Sequence, residues 1–358
     1  MATVVLAGGG TAGHVEPALA VARQWKISHP EDRLVFLGTS SGLETILVPA
    51  ANFELHLIPR VRISRRPSAS WLNIPFDLIS AVLESKKIIK MADVVIGFGG
   101  YVSAPAYIAA QISGVPIVIH EANAKPGWAN RLGAAFSEHL AVAHPVDSGK
   151  FEHALLAGLP LRSDVAQAFN DSHSDWSAAR RAAKLRLGFP ADAPLIFVMG
   201  GSQGSVAINK VIESSVEMFN QKGLSVLHSV GKLNALPQAK GGYKPVAYVD
   251  AMADAYLAAD LIIGRSGAVT CSEFRALGRY ALFVPLPIGN GEQFVNAASL
   301  VADNRAEVIS QKQFTADFLN SHIAGLLAKS AAAPLGGNGA DLHAAEKIVA
   351  LTEFAMKP

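Results

Sequence analysis

Two runs decide how this chain folds: TVVLAGGGTAGH at residues 3–14 and LIFVMGGSQGS at residues 195–205. Each is a short apolar segment, rich in strand-forming residues, that runs into a glycine-rich turn. Each is followed by a helical pattern, carried by Ala18, Leu19, Val21, Ala22 and Trp25 in the first case and spanning about Ala207 to Phe219 in the second. Working outward from the first turn, strands are predicted at 3–7, 34–37, 53–58, 93–97 and 115–120. Around the second they fall at 195–199, 225–229, 261–263 and 281–284. Strand, turn and helix in repetition predict α/β halves, each with a parallel sheet covered on both faces. Ligands of such sheets bind beyond the carboxyl ends of the strands. Two halves facing each other would set both glycine turns on one deep cleft.

The boundary is expected near 158–165, giving a first domain over 1–160 and a second over 161–340. A charged helix at 178–186 follows the boundary. Residues 331–340 read as a loop, and an amphipathic last helix over about 341–356 carries Leu342, Ala345, Ile348, Val349 and Phe354.

Composition narrows the function. The chain has 358 residues, of which 50% are apolar and 17% charged, so global disorder is excluded. A net charge of +2 does not suit a strongly cationic nucleic-acid binder, and no nucleic-acid partner is expected. Cys271 stands alone, which excludes an intrachain disulfide and a thiolate metal cluster. The opening MATVVLAGGG lacks the basic start of a signal peptide, and no run reaches the ~20 apolar residues of a membrane span.

The first turn matches G-x-G-x-x-G, but a dinucleotide fold wants an acid at the end of the second strand, about 20 residues on. Here Glu31 and Asp32 precede that strand, and Gly38-Thr39-Ser40-Ser41 ends it. The second turn breaks the pattern, and no Gly-Lys-Ser/Thr follows either one, so NAD, FAD and P-loop readings are disfavoured. Free amides at a helix start still suit an anion or a polar sugar. A tight turn without ligand is the other reading of the same residues. His14, where the first helix opens, fits a general base near neutral pH or a structural cap. His120-Glu121-Ala122-Asn123 follows a strand end. It is not a zinc motif, because position 124 is Ala. In the second half, Arg265 and the following helix start suit a phosphate or sugar, Glu273 suits two vicinal ribose hydroxyls, and Gln293 and Asn296 suit a sugar. A helix-terminal acid and plain surface polarity remain open for these positions.

Seven ordered runs sharpen the reading: GGGTAGHVEPALA (8–20), GFGGYVSAPA (97–106), HEANAKPGWANR (120–131), GLPLR (158–162), GGSQGSVAIN (200–209), YVDAMADAYLAADLIIGRSGAVTCSE (248–273) and PLPIGNGEQFVNA (285–297). Together they resemble the MurG family, peptidoglycan glycosyltransferases of the GT-B fold. The resemblance implies a UDP-GlcNAc-dependent hexosyltransferase. It would move N-acetylglucosamine to the C4 hydroxyl of the muramyl sugar of lipid I, forming lipid II with inversion.

It also implies roles. His14 is the base candidate, with Glu121 as helper or rival. Thr11, Ala12 and Gly13 of the first turn bind the nucleotide sugar. Gly99, Gly100 and Tyr101 lie near the acceptor diphosphate, and His120 and Glu121 line the acceptor side. Asn123 faces the donor sugar, and Arg162 contacts the donor. Ser202 and Gln203 hold the phosphates and sugar, and Val249 and Met252 flank the uracil. Arg265 stands beside the nucleotide, Glu273 binds the ribose, and Glu292 and Gln293 meet the GlcNAc hydroxyls. The last helix is expected to pack back on the first domain.

Departures are Ala122, where many relatives have Gln, and Leu159 and Leu161, where Asn and Val are common. No Asp-x-Asp pair stands in a strand-end loop, so no obligatory metal or other cofactor is expected. Another GT-B transferase, a UDP-sugar epimerase and a non-catalytic cell-wall assembly scaffold are the alternatives.

Residues 60–90 hold Arg60, Arg62, Arg65, Arg66, Lys86, Lys87 and Lys90 against Asp77 and Glu84, a net +5 that leaves −3 for the rest. Trp71, Leu72, Ile74, Phe76, Leu78, Ile79, Val82 and Leu83 interleave with them. Such a segment suits an anionic lipid surface, while a core helix after a solvated basic loop has the same pattern. With the resemblance, the expectation is a peripheral protein on the cytoplasmic side of the cell membrane. It would act on a lipid-linked muramyl-pentapeptide, with a place in a cell-wall synthesis complex.

Overall fold

The computed structural model describes residues 1–61, 74–201, 203–287 and 291–357. It divides into two compact units, Met1–Arg162 with Asp341–Pro358, and Ser163–Ala340.

The first unit is a sheet of β1 (Thr3–Gly8), β2 (Arg33–Gly38), β3 (Glu54–Leu57), β4 (Val94–Gly99), β5 (Ile117–Glu121), β6 (His139–Val142) and β7 (Leu155–Leu156). Their order is β3-β2-β1-β4-β5-β6-β7, and every pairing is parallel. Its helices are α1 (Ala12–Ser28), α2 (Glu44–Ala50), α3 (Ile74–Ile89), α4 (Ser103–Ser113) and α5 (Trp128–Gly133). Strand alternation sorts the core. Val5, Ala7, Val35, Leu37 and Val95 pack with Ala81, Val82, Ala106 and Tyr107 of α3 and α4. Val4, Leu6, Leu34, Phe36 and Ile96 pack on the other face with Val15, Leu19 and Trp25 of α1. Each large apolar side chain so buried contributes roughly 1.5–3 kcal/mol.

The second unit pairs β8 (Leu195–Met199), β9 (Ser225–Ser229), β10 (Tyr243–Val246), β11 (Leu261–Gly264), β12 (Ala281–Phe283) and β13 (Ala306–Val308) in the order β10-β9-β8-β11-β12-β13, again all parallel. Its helices are α6 (Ser163–Ser172), α7 (Trp176–Arg186), α8 (Val206–Ser214), α9 (Val216–Gln221), α10 (Met252–Ala258), α11 (Ala268–Ala276), α12 (Glu292–Asn296), α13 (Ala298–Ala302) and α14 (Ala316–Ala332). The last helix, α15 (Ala344–Ala355), belongs to the first unit. Its Ile348 and Val349 join the α1 face of that core, and His29 pairs with Glu353 at 2.7 Å.

Three helical stretches differ from the sequence reading. The helix expected over 207–219 is two helices, broken at Ser215. The Ser214 and Ser215 hydroxyls donate to the carbonyls four residues back, which bends a helix. The last helix starts at Ala344, because Gly339–Asp341 form a 3-10 turn. Helix α14 lies outside the predicted elements and reaches Ala332, into the stretch that reads as loop.

Two buried imidazoles are locked neutral. His120 bonds the Gly158 carbonyl through Nε2 at 2.9 Å. His228 lies between the Tyr243 hydroxyl at 2.8 Å and Asn209 Oδ1 at 3.1 Å. Burial pushes each down to about 4. Below the ordinary value of 6.5 the unfolded chain takes up protons that the folded chain refuses. Stability should therefore fall between pH 6.5 and 4, by at most ~3 kcal/mol per histidine, and level off below. Urea unfolding at stepped pH checks this, and His228→Gln should flatten the second unit's share.

Candidate functional site

Each sheet order reverses direction once, between β1 and β4 and between β8 and β11, and each reversal opens a crevice at the strand ends. The glycine-rich turns stand there. Gly10 and Gly201 both adopt left-handed φ, +88° and +90°, and a Cβ at either would meet only open space. One glycine in each turn thus leaves its outer side open to close approach.

In the first unit, His14 sits half-buried between two loops. Its Nδ1 lies 3.2 Å from the Gly9 carbonyl and 3.3 Å from Thr11 Oγ1. A carbonyl only accepts, so Nδ1 carries the proton and Nε2 keeps its lone pair. The second loop closes on it: a Cβ on Gly100 would stand 2.6 Å from the Gly9 carbonyl and 3.1 Å from His14 Nδ1. Burial lowers the His14 pKa most; Glu121, the Gly9 hydrogen bond and Glu44 pull it back up in that order. The imidazole is therefore a free base at neutral pH. Thr11, Ala12 and Gly13 form the start of α1, where first-turn amides lack helical partners.

Glu121 is buried and accepts four hydrogen bonds: Asn123 N at 2.8 Å, Asn123 Nδ2 at 3.1 Å, Gly127 N at 2.8 Å and Asn130 Nδ2 at 3.0 Å. Asn130 is itself held by the Tyr107 hydroxyl at 2.8 Å. A carboxylate so engaged organises the loop that carries Asn123. Its field reaches His14, but its oxygens are committed. His120, the preceding residue on β5, points to the opposite face. Fully buried against Gly158, it does not line an open acceptor side, and strand alternation is the reason. Tyr101 is exposed and lies ring to ring with Trp128, centroids 6.1 Å apart. Arg162 approaches Glu16 of α1 at 3.9 Å. Ala122, Leu159 and Leu161 are all buried, so these departures fall in packing positions.

In the second unit, the turn after β8 is drawn tight. A Cβ on Gly200 would stand 2.3 Å from the Ser205 amide, a backbone atom that cannot yield. Gln203 is exposed, and its carbonyl accepts from Asn234 Nδ2 at 3.0 Å; Ser202 lies outside the described residues. Arg265, between β11 and α11, donates to the Val284 carbonyl at 2.8 Å, the Pro285 carbonyl at 3.1 Å, Ser205 Oγ at 2.8 Å and Gln311 Oε1 at 2.7 Å. Its two terminal nitrogens tie β11, β12 and the glycine turn together. Ser266 beside it is fully buried, with no hydrogen-bond partner for its hydroxyl among the described residues. Glu273 is 2% exposed and accepts from the Tyr256 hydroxyl at 2.8 Å. Val249 and Met252 are buried at the start of α10. Gln293 Oε1 accepts from Leu286 N at 2.9 Å, bracing the loop after β12, and Glu292 is half-buried beside it. Ile288, Gly289 and Asn290 of that loop lie outside the described residues.

Sequence reasoning missed Glu44, Asn130 and Tyr256. Asn130 carried a signal, a polar residue inside a helix pattern; Tyr256 carried none. Among the described residues no group of three or more His, Cys, Asp or Glu side chains has metal-binding geometry.

Residues 4–142 match the glycosyltransferase family 28 N-terminal domain, and residues 195–347 match the family 28 C-terminal domain. The UDP-N-acetylglucosamine--N-acetylmuramyl-(pentapeptide) pyrophosphoryl-undecaprenol N-acetylglucosamine transferase of Corynebacterium glutamicum (strain R) is 46% identical over 318 residues, 88% of this chain and 86% of that protein. The crystal structure of Acinetobacter baumannii MurG is 27% identical with a TM-score of 0.69, covering 98% of this chain and all of that one. The chain belongs to the MurG family. Its two Rossmann-like parallel-sheet domains are of the GT-B kind. A likeness to Neisseria meningitidis UDP-GlcNAc 2-epimerase, 13% identical with a TM-score of 0.62 over 98% of this chain and 99% of that one, is one of fold alone.

In this MurG-family chain no helix among the described residues is long and apolar enough to cross a membrane. Helix α3 instead buries Ala81, Val82, Ser85 and Ile89 and leaves Phe76, Ile79 and Leu83 exposed by 73%, 57% and 58%. Lys87 and Lys90 continue that exposed side. Arg62, Arg65, Arg66, Trp71 and Leu72 lie outside the described residues.

Proposed function

We infer that this chain is the transferase that moves N-acetylglucosamine from UDP-GlcNAc to the C4 hydroxyl of the muramyl sugar of lipid I, forming lipid II. The observation that carries this is the 46% identity over most of both chains to a transferase of that name. The donor is α-linked and the product β-linked, so a single displacement suffices. The C4 oxygen bonds to the anomeric carbon, the bond from that carbon to the phosphate oxygen breaks, and UDP leaves. The C4 proton passes to His14 Nε2, the nitrogen left unprotonated by the Gly9 contact.

On the acceptor half, Gly99, Gly100 and Tyr101 bind the lipid-linked diphosphate, and Glu121 works through Asn123 and the field at His14. On the donor half, Gln203 and Ser202 with the α8 start take the phosphates, assisted by the charge of Arg265. Arg265 contributes by position and field, since its terminal N–H groups are engaged. Val249 and Met252 take the uracil, Glu273 the ribose, and Glu292 and Gln293 the GlcNAc hydroxyls. Thr11, Ala12, Gly13, Asn123 and Arg162 complete donor contact from the first unit's residues. No metal is required in this scheme.

The test is transfer of labelled GlcNAc to a short-chain lipid I analogue with EDTA present. Label in a lipid-linked disaccharide supports donor, acceptor and metal independence together. Tight UDP binding without transfer would turn the search to other acceptors, and release of an isomerised UDP-sugar without acceptor would make the chain an epimerase.

The acceptor is lipid-linked, and we propose that residues 60–90 rest on the anionic cytoplasmic face of the membrane, where a cell-wall synthesis complex would meet them. The exposed side of α3 runs from apolar to basic, which suits an interface. The protein should sediment with anionic vesicles in low salt and detach in high salt. Phe76→Asp with Leu83→Asp should weaken binding about tenfold or more. Sedimentation indifferent to vesicles would refute the assignment.

A further inference from the structure

Glu44 opens α2 and is fully buried. Its Oε2 accepts from the Gly10 amide at 2.8 Å, and its Oε1 accepts from the Thr39 amide at 2.8 Å and the Thr39 hydroxyl at 3.1 Å. Three glycines enclose it: a Cβ on Gly9 would stand 2.8 Å from Oε1, on Gly38 2.5 Å from Cγ, and on Gly42 would overlap Oε2. No cation pairs with it among the described residues. A buried carboxylate without a cation is costly to the fold, and a neutral side chain would brace a turn at less cost. The charge therefore needs a further reason, and His14 supplies it.

We propose that Glu44 is a positioning residue for His14: it fastens the first glycine turn through Gly10 and Thr39, so that the Gly9 carbonyl stays aimed at Nδ1 and Nε2 remains the proton acceptor. The chain of contacts is continuous. Glu44 fixes Gly10, Gly10 fixes the adjoining Gly9 peptide, and Gly9 receives His14 Nδ1–H at 3.2 Å. Glu44 from α2 and Glu121 from β5 are the charged groups acting on the imidazole, and both oppose its desolvation. Glu44 thus does through a backbone turn what the aspartate of a hydrolase triad does by direct contact. The proposal rests on His14 being the base.

The experiment is Glu44→Gln in the full chain, read by kcat against pH, KM for UDP-GlcNAc and the nitrogen-15 spectrum of the His14 ring, assigned with His14→Ala. Gln has one acceptor oxygen for two backbone donors, so its amide N–H must face either the Gly10 or the Thr39 amide, and the charge is removed. The expected result is a fall in kcat of about tenfold or more, KM for UDP-GlcNAc within about twofold, loss of the Nδ1–H tautomer, and an acid limb moved to lower pH. Glu44→Asp keeps the charge but falls one methylene short, and should lose the tautomer with a smaller shift of the limb. If the Gln variant does not fold, the Asp variant reads the same quantities. Wild-type kcat and an intact Nδ1–H tautomer in a folded Gln or Asp variant would overturn the proposal. Full turnover in His14→Ala would instead remove the base assignment, while the spectrum still reports whether Glu44 sets the ring.

Discussion

Replacing His14 with Ala is expected to lower kcat about a thousandfold while leaving UDP affinity within about twofold. The argument starts from the tautomer. The Gly9 carbonyl claims Nδ1–H, so Nε2 is the only ring nitrogen able to take a proton. The pKa of His14 is lowered mainly by burial, so the ring is unprotonated at neutral pH. Protonation on the acid side removes the base. Activity of the unaltered protein should therefore fall as pH drops through a midpoint below the ordinary imidazole value. The Ala variant should lack that limb, because its residual activity no longer depends on an imidazole. Added imidazole should restore part of the rate. The residues proposed here for the uracil, the ribose and the phosphates lie in the second unit, so UDP titration should not register the change. A variant with unchanged turnover, or one that loses UDP affinity in proportion to rate, would place His14 outside the chemistry.

The parts of the fold legible in the sequence are the continuous apolar runs, which parallel strands covered on both faces require. β1, β2, β4, β5, β8, β9, β11 and β12 were all read within a residue or two, because each is a buried run ended by small residues. The short strands β6, β7, β10 and β13 were not read. They have two to four residues each and draw their identity from neighbours in the sheet. Placement is legible where a side chain stands directly on a turn, as with His14 and Arg265. It was not legible where a residue acts from behind. A dinucleotide fold wants an acid at the end of β2, and Gly38-Thr39-Ser40-Ser41 stands there instead. The structure has one six residues beyond Gly38, at Glu44, folded back onto Thr39 and Gly10. It braces the turn itself, a role that spacing along the chain does not reveal. Glu121 was read as a helper or rival base, but its four hydrogen bonds come from residues two to nine positions later, and only folding brings them together. His120 and Glu121 looked equivalent as neighbours after a strand, yet the pleat sends them to opposite faces.

The second large effect concerns the donor. Glu273→Ala should weaken UDP-GlcNAc binding about a hundredfold with little change in kcat at saturation, since two hydrogen bonds from ligand hydroxyls to a charged group are worth, net of water, roughly 1.5 kcal/mol each at the low end. The carboxylate is built for a fixed pose. Tyr256 donates to Oε2 at 2.8 Å, and its ring is wedged against Phe274 and Phe197, with centroids 5.0 and 6.1 Å away. Phe274 in turn stacks on Phe283 at 5.8 Å. A carboxylate held by such a rigid aromatic group loses little entropy when a vicinal diol binds. The decisive measurement pairs the protein with its ligand. Deleting the ribose 2′-hydroxyl from UDP should weaken binding to the unaltered protein and make no difference to the Ala variant, because the partner is already gone. Tyr256→Phe should lie between them, weakening UDP about fivefold and narrowing the discrimination against the deoxy ligand, since the carboxylate remains but its aim is lost. Unfolding midpoints of all three proteins separate this from simple loss of the core. Equal discrimination in the unaltered and Ala proteins would assign the ribose to another residue and leave Glu273 as a buried anchor of α11.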